Sequence, residues 1–216
     1  MDEIWNIIHK TQEWGAYPSE HVIRFFARNY YNKNRSDIRV LDFGCGGGAH
    51  TWYLAREGFD TYAFDGAEYA VINAKKRLEK EGLNAHFSVF DGIAVKYENS
   101  FFDVVLDNAC VYANRVEDIK LMYKSIFSFL KNGGKLLTIC FGKNTSGYEL
   151  GKEVEQGTFT DISDGPLSNR GITHFFTKNE IQDMLKEIGF KNIVVDSIEY
   201  TDRGYKIEQY VTQAEK

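Results

Sequence analysis

The run Leu41-Asp42-Phe43-Gly44-Cys45-Gly46-Gly47-Gly48 is where the chain most plainly prepares for chemistry. Glycines in such a cluster let the backbone turn tightly and approach a ligand closely, and a helix opening behind them offers free N–H groups. Asp65 ends the next apolar run about twenty residues on, where a carboxylate can accept hydrogen bonds from both ribose hydroxyls. A nucleoside-bearing cofactor fits this pattern. Gly44, Gly46 and Ala49 also satisfy the dinucleotide fingerprint, which is weak when it stands alone.

Three features separate the alternatives. Asp42 lies two positions before the first glycine and puts a carboxylate at the strand end beside the loop. That charge suits a cofactor carrying an ammonium and a sulfonium, and it would repel a pyrophosphate. Phe90-Asp91-Gly92-Ile93 ends a third apolar run with an acid that can accept from an adenine amino group, next to an apolar residue for the ring. The chain also finishes in two consecutive strand patterns, a reversed ending foreign to the usual dinucleotide topology.

The elements that must hold these residues alternate strand and helix, which predicts a mostly parallel sheet covered on both faces. Strands are expected over 38–43, 61–64, 85–90, 102–106 and 136–141. Ala49 to Glu57 reads as a helix stopped at Gly58. A second helix carries Ala67, Ala70, Ala74 and Leu78 at helical spacing as far as Gly82. Val116, Ile119, Tyr123, Ile126 and Leu130 mark a third, ending at Asn132-Gly133-Gly134. Thr177-Lys178-Asn179-Glu180 has the spacing of a capping box, ahead of a helix that stops at Gly189. Strands over 193–198 and 205–211 follow, joined by a polar connection over 201–204. With no helix between them they must pair antiparallel.

Composition bounds the partners. The 216 residues include 43% hydrophobic and 26% charged side chains, values typical of a globular domain. A net charge of −5 argues against a protein that relies on phosphate neutralisation. The run Lys75-Lys76-Arg77 reads as a solvated helix face. No stretch is long and apolar enough to cross a bilayer. The opening residues lack the basic start and apolar run of a secretory signal. Cys45, Cys110 and Cys140 form no CxxC pair, so neither a disulfide framework nor a metal site is expected. A cytoplasmic location follows as the expectation, with small packing roles for the thiols rather than catalytic ones.

Taken together and in order, these pieces resemble the class I family of S-adenosylmethionine-dependent methyltransferases over essentially the whole length. The family's glycine motif matches Asp42, Gly44, Gly46 and Gly48, its ribose-binding acid falls on Asp65, and its adenine-side acid falls on Asp91. Asp107-Asn108-Ala109-Cys110-Val111 matches the stretch that passes the methionine end of the cofactor. Leu130-Lys131-Asn132-Gly133-Gly134-Lys135 resembles the turn into strand five, and His174-Phe175-Phe176-Thr177 the entry to the last helix. The resemblance implies a doubly wound, Rossmann-like α/β sheet of seven strands in the order 3-2-1-4-5-7-6, with strand seven antiparallel. It implies S-adenosylmethionine bound by Asp42, Gly44, Cys45, Gly46, Asp65, Gly66, Asp91, Gly92 and Asn108. S-adenosylhomocysteine would be the product, and no metal is required.

One domain over 1–216 is expected. Residues 1–34 form an N-terminal helical lid, 35–141 the cofactor-binding core, 142–173 a substrate-side insertion, and 174–216 a C-terminal helix with the antiparallel strand pair. The [Asp/Asn]-Pro-Pro-[Tyr/Phe] element of amino-group methylases is missing after strand four, as is the Pro-Cys nucleophile of cytosine-carbon methylases. With the acidic charge, these gaps favour a small-molecule acceptor taking the methyl on oxygen or nitrogen, and a monomer or homodimer without nucleic acid or membrane. Trp14, Tyr17, Tyr112 and His174 are the expected acceptor-pocket residues, with Trp5, His9 and Pro18 nearby in sequence. His174 closes the long 142–173 connection and leads as general base, because imidazole titrates near the working range. Tyr112 and His50 stand behind it. Two other readings stay open at this point: a non-catalytic cofactor-binding module acting through a protein partner, and an NAD-dependent oxidoreductase.

Overall fold

Strand residues in the chain alternate between two apolar faces, and the architecture follows from where those faces go. The computed structural model describes residues 3–12 and 15–216. In chain order the elements of the first half are α1 (Ile4–Thr11), α2 (Glu20–Tyr30), β1 (Arg39–Phe43), α3 (Ala49–Arg56), β2 (Asp60–Asp65), α4 (Glu68–Glu79) and β3 (His86–Val89). Then come β4 (Phe102–Asn108), α5 (Val116–Phe129), β5 (Leu130–Phe141), β6 (Lys152–Glu155), β7 (Thr158–Thr160), β8 (Thr173–His174), α6 (Lys178–Ile188), β9 (Lys191–Asp202) and β10 (Tyr205–Glu215).

Seven strands form one sheet in the order β3-β2-β1-β4-β5-β10-β9. Only β10 runs against its neighbours, pairing antiparallel with both β5 and β9. This is the expected order, with β9 and β10 as the sixth and seventh strands of the sheet. Val40, Val104, Leu106, Leu137 and Ile139 face one side, where Val22, Phe25 and Phe26 of α2 and Leu54 of α3 cover them. Leu41, Phe43, Val105 and Leu136 face the other, under Ile119, Tyr123 and Ile126 of α5 and Ile181 and Leu185 of α6. Apolar residues on both faces are what a central parallel sheet demands. No helix among the described residues is long and apolar enough to cross a membrane.

Several boundaries differ from the sequence expectation, each for a local reason. The helix α5 stops at Phe129, before the glycines. Leu130 pairs with Phe102 and Lys135 with Val104, so residues 131–134 bulge out of the strand rather than end the helix. Lys131 Nζ holds this bulge by donating to both carboxylate oxygens of Asp103 at 2.8 Å. The connection between β9 and β10 is shorter than the polar 201–204 run suggests. Arg203 and Gly204 both have positive φ, the two-residue turn whose twist matches antiparallel strands, which lets Thr201 and Asp202 stay in β9.

The 142–173 segment, expected as a long connection, forms structure of its own. It contributes β6 and β7 to a three-stranded antiparallel sheet completed by β8. Phe159, Ile162 and Leu167 of this segment are buried in the main core beside Phe175. Glu155 Oε1 accepts from the backbone N–H of Val116 at 2.7 Å, so the segment caps the start of α5 with a carboxylate, the charge that end of a helix favours.

At α6 the capping box is formed in both directions. Thr177 Oγ1 accepts from the Glu180 N–H, and Glu180 Oε2 accepts from the Thr177 N–H. Replacing Thr177→Ala should lower stability by about 1 kcal/mol, measured as a shift of the urea midpoint with an unchanged slope. No shift would mean that packing alone holds this helix start.

Candidate active site

A cavity of about 400 Å³ lies outside the carboxyl ends of the central strands, where open α/β sheets place their ligands. Its floor is the loop after β1. Gly44 has φ +72°, and a Cβ there would sit 2.1 Å from Cys110 Sγ, so only glycine lets the β1 and β4 loops touch. Gly48 has φ +77°, and a Cβ would meet Ala74 Cβ at 2.6 Å, so it sets the approach of α3 to α4.

Asp65, at the end of β2, ties the loops together. Its Oδ2 accepts from the Gly46 N–H at 2.9 Å and its Oδ1 from the Ala67 N–H at 2.8 Å. Burial raises its carboxyl above the ordinary range, while those N–H donors and the neighbouring His9 oppose the rise. Each oxygen keeps a further lone pair for a hydroxyl donor from the cavity.

Of the expected cofactor residues, Gly44, Cys45, Gly46, Asp65, Gly66, Asp91, Gly92 and Asn108 all line this one cavity. Asp42 does not. It is 1% exposed and accepts a hydrogen bond from Thr51 Oγ1 at 2.5 Å, behind the loop rather than within the cavity. The expectation of a direct charge contact is therefore corrected: Asp42 positions α3 against the strand end. Burial raises its carboxyl to about 7 against the opposing Thr51 bonds. The apolar neighbour expected at Ile93 is also replaced. Ile93 is 40% exposed, and Met122, packed against Gly92, joins Phe64 in the apolar lining of the cavity.

The turn after β4 is held from below in the same way. Asp107 Oδ1 accepts from the N–H groups of Cys110 and Val111 at 3.0 and 3.2 Å. Its Oδ2 accepts from Thr138 Oγ1 at 2.6 Å, which leaves Thr138 to accept from the Tyr123 hydroxyl at 2.9 Å. Burial raises Asp107 to about 6. This network fixes Ala109 at φ +58°, a left-handed conformation costly for a residue with a Cβ, on the cavity wall beside Asn108.

The expected acceptor residues divide. Tyr17 lines the cavity mouth at 81% exposure, edge-on to Trp52. Tyr112 lines the interior, packed edge-on against Phe141 with ring centroids 4.9 Å apart. Trp14 lies outside the described residues. Trp5 and His9 line the cavity from α1, but at the loop end. The His9 ring packs over Gly46, and burial lowers its pKa against the opposing charge of Asp65, so α1 covers the cofactor side rather than the acceptor side. His50 also lines the cavity; its Nε2 accepts from the Ser19 N–H at 3.2 Å, and burial lowers it to about 4.

His174 is absent from the cavity lining, and its expected role as base is corrected. The residue is fully buried. Nδ1 lies 2.7 Å from Thr158 Oγ1 and Nε2 lies 3.0 Å from Glu180 Oε1. Its backbone N–H donates to the Tyr112 carbonyl at 2.8 Å, so β8 holds the Tyr112 backbone while the imidazole is engaged with Thr158 and Glu180. Sequence reading missed Arg170, Gln209 and Asn114, all on the cavity wall. Gln209 had a usable signal. The reversed strand places it opposite Phe141, at the carboxyl end of β5. Arg170 had none, since nothing local fixes the path of the 142–173 segment.

Two outcomes follow from this geometry. A carboxylate whose folded pKa is raised stabilises the fold at low pH and loses that contribution as pH climbs through about 7. Asp42→Asn keeps the acceptor for Thr51 without the charge, so its urea midpoint should gain on the parent between pH 5 and pH 8. A constant difference across that range would show that Asp42 does not carry the burial cost. His174→Ala should destabilise by about 1–3 kcal/mol through the partners it strands. It should leave S-adenosylhomocysteine affinity within about two-fold, as calorimetric titration would show, since the residue does not reach the cavity.

Comparison with known proteins agrees with the geometry. A family model described as a methyltransferase domain matches residues 34–190. The chain is 28% identical over 159 residues to a ubiquinone biosynthesis O-methyltransferase of Ruegeria pomeroyi, covering 72% of this chain and 61% of that protein. It is 25% identical over 197 residues to phosphoethanolamine N-methyltransferase 2 of Caenorhabditis elegans, covering 85% of this chain and 41% of that protein. It thus spans less than two thirds of either relative. A solved S-adenosylmethionine-dependent methyltransferase of Methanosarcina mazei superposes with a TM-score of 0.70 at 26% identity, over 82% of this chain and 92% of that one. The family match covers most of the sheet and every cofactor-side loop, which removes the dinucleotide alternative: this chain belongs to the class I S-adenosylmethionine-dependent methyltransferases.

Proposed function

We propose that the protein transfers a methyl group from S-adenosylmethionine to an oxygen or nitrogen of a small-molecule acceptor. The observation that carries this reading is one continuous cavity with two unlike ends. Gly44, Gly46, Asp65 and Asp91 line one end, after β1, β2 and β3, and Tyr112, Phe141, Arg170 and Gln209 line the other, beside β5 and β10. A module that only held the cofactor would have no use for the second end. The relatives include both an O- and an N-methyltransferase, which fits either acceptor atom.

When bound, the cofactor supplies an electrophilic methyl carbon on a sulfonium and leaves as a neutral thioether. The Asp65 carboxylate would accept the ribose hydroxyls with its remaining lone pairs, and Asp91 the adenine amino group, with Met122 and Phe64 against the ring. These two acids favour a cationic ligand over a pyrophosphate. Asn108 and the constrained Ala109 border the passage to the second end. The acceptor's lone pair forms the new bond to carbon as the carbon–sulfur bond breaks, and any acceptor proton passes to water. The chain's own contribution is alignment and exclusion of water. The N-terminal residues, with Trp5 and His9 over the loop and Tyr17 at the mouth, would cover the bound cofactor as a lid.

Calorimetric titration with S-adenosylmethionine and S-adenosylhomocysteine tests the cofactor half. Asp65→Ala should weaken both by about ten-fold or more, the worth of hydrogen bonds to a charged group. Mixing S-adenosylmethionine with catechol or with phosphoethanolamine and following S-adenosylhomocysteine release tests the transfer. A folded protein that binds neither cofactor form would overturn the reading.

A further inference from the structure

The acceptor end of the cavity has a guanidinium on its wall, and the cofactor end has carboxyl groups. Arg170 is the one lysine or arginine among the described residues of the cavity wall, and Asp65 and Asp91 line the opposite end. The strand order sets how far apart these ends are. Asp65 ends β2 and Gln209 belongs to β10, four strand positions away, which is about 19 Å at the usual inter-strand spacing.

Arg170 belongs to the acceptor end by its neighbours. Burial pushes the Tyr112 phenol well above its ordinary range, and the Arg170 guanidinium acts on it in the opposite sense. Tyr112 packs on Phe141, and Phe141 pairs with Gln209 across the β5–β10 ladder. The cavity's two histidines do not share this charge at neutral pH, because burial lowers both His9 and His50. A guanidinium presents a planar fork of N–H donors that matches a carboxylate or a phosphate, and it has five donors to divide among partners. The Gln209 amide on the same wall can add a hydrogen bond to an oxyanion. The chain's overall charge of −5 repels anions in general, so an anion is admitted here only through a local cation.

We propose that the acceptor is a small molecule bearing an oxyanion group, carboxylate or phosphate, which docks on Arg170 with its nucleophilic oxygen or nitrogen turned towards Asn108. The proposal rests on the methyltransferase reading and names the chemistry of its acceptor. The guanidinium then orients the molecule: its anion is held at Arg170, so the nucleophile is the part left towards the methyl donor. Neutral analogues of the same shape lack that orientation.

The test uses the full chain saturated with S-adenosylhomocysteine and titrated at constant ionic strength with benzoate, inorganic phosphate and, as the neutral control, benzamide. Calorimetric titration reads the binding directly, whichever end of the cavity the anion occupies. Saturable binding of benzoate or of phosphate, and not of benzamide, is expected. The arm that saturates tells a carboxylate acceptor from a phosphate one. Arg170→Gln should weaken that anion by about ten-fold or more, with S-adenosylhomocysteine affinity held within about two-fold, and Arg170→Lys should restore part of it. No anion binding, or equal binding by parent and Arg170→Gln, overturns the proposal. A loss of S-adenosylhomocysteine affinity in Arg170→Gln that Arg170→Lys repairs also overturns it, by assigning the guanidinium to the cofactor's own carboxylate. Failure of the parent to bind S-adenosylhomocysteine is read separately and would remove the methyltransferase reading itself.

Discussion

Three carboxylates buried at the ends of adjacent parallel strands are the constraint on which the site depends. Asp42 and Asp107 each lie one residue before the end of their strands, β1 and β4, and Asp65 closes β2. A charge taken out of water must be met by hydrogen-bond donors, or the group takes up a proton. The donors here come from Thr51 of α3, from the N–H groups of Gly46 and Ala67, and from Thr138 with the N–H groups of Cys110 and Val111. Each acid therefore pins a different loop or helix start. The loops that border the cavity are held in place by the hydrogen bonds that the acids beneath them require.

The reversed strand decides what stands across from those loops. Were β10 parallel, its amino end would lie at the far edge of the sheet. Running antiparallel, it brings Gln209 beside Phe141 at the carboxyl edge. The same stretch anchors the segment after β5. Gly142 and Ser146 donate their N–H groups to the carbonyls of Glu208 and Lys206, and Glu208 accepts from the Asn144 N–H. The 142–173 segment is thus fastened at its start to β10. At its other end, β8 donates from His174 to the Tyr112 carbonyl. Both anchors fall next to the acceptor end of the cavity, which is how Arg170 comes to line it.

His174 shows how a chemically suggestive residue becomes structural. Its position at the end of a long polar connection made it a reasonable base. The backbone turn that docks β8 on Tyr112 sends the imidazole towards Thr158 and Glu180, where both nitrogens find partners. The same Glu180 completes the capping box of α6, so one side chain joins the small sheet to the helix start. Histidine there serves packing and hydrogen bonding, at a point where three elements meet.

The strand and helix segments, the reversed ending and the capping box were legible in the amino-acid sequence, because they depend on interactions between residues close together in the chain. The order of the strands came only with the family resemblance. Alternating apolar residues choose a sheet face within a few positions, and Thr177 and Glu180 meet within a single helical turn. Gly44, Gly46 and Asp65 were readable because strand ends in a parallel sheet converge on one edge whatever the rest of the chain does. The acceptor end was not readable, because it is built from residues separated by up to about half the chain. Arg170 and Gln209 reach Tyr112 only through the pairing of β10 with β5 and the docking of β8. Asp42 could be recognised as a strand-end carboxylate, yet its direction was set by a hydroxyl on α3. Local residue chemistry determined which cofactor this chain is built to hold. Long-range pairing determined the charge and shape of the space left beside it.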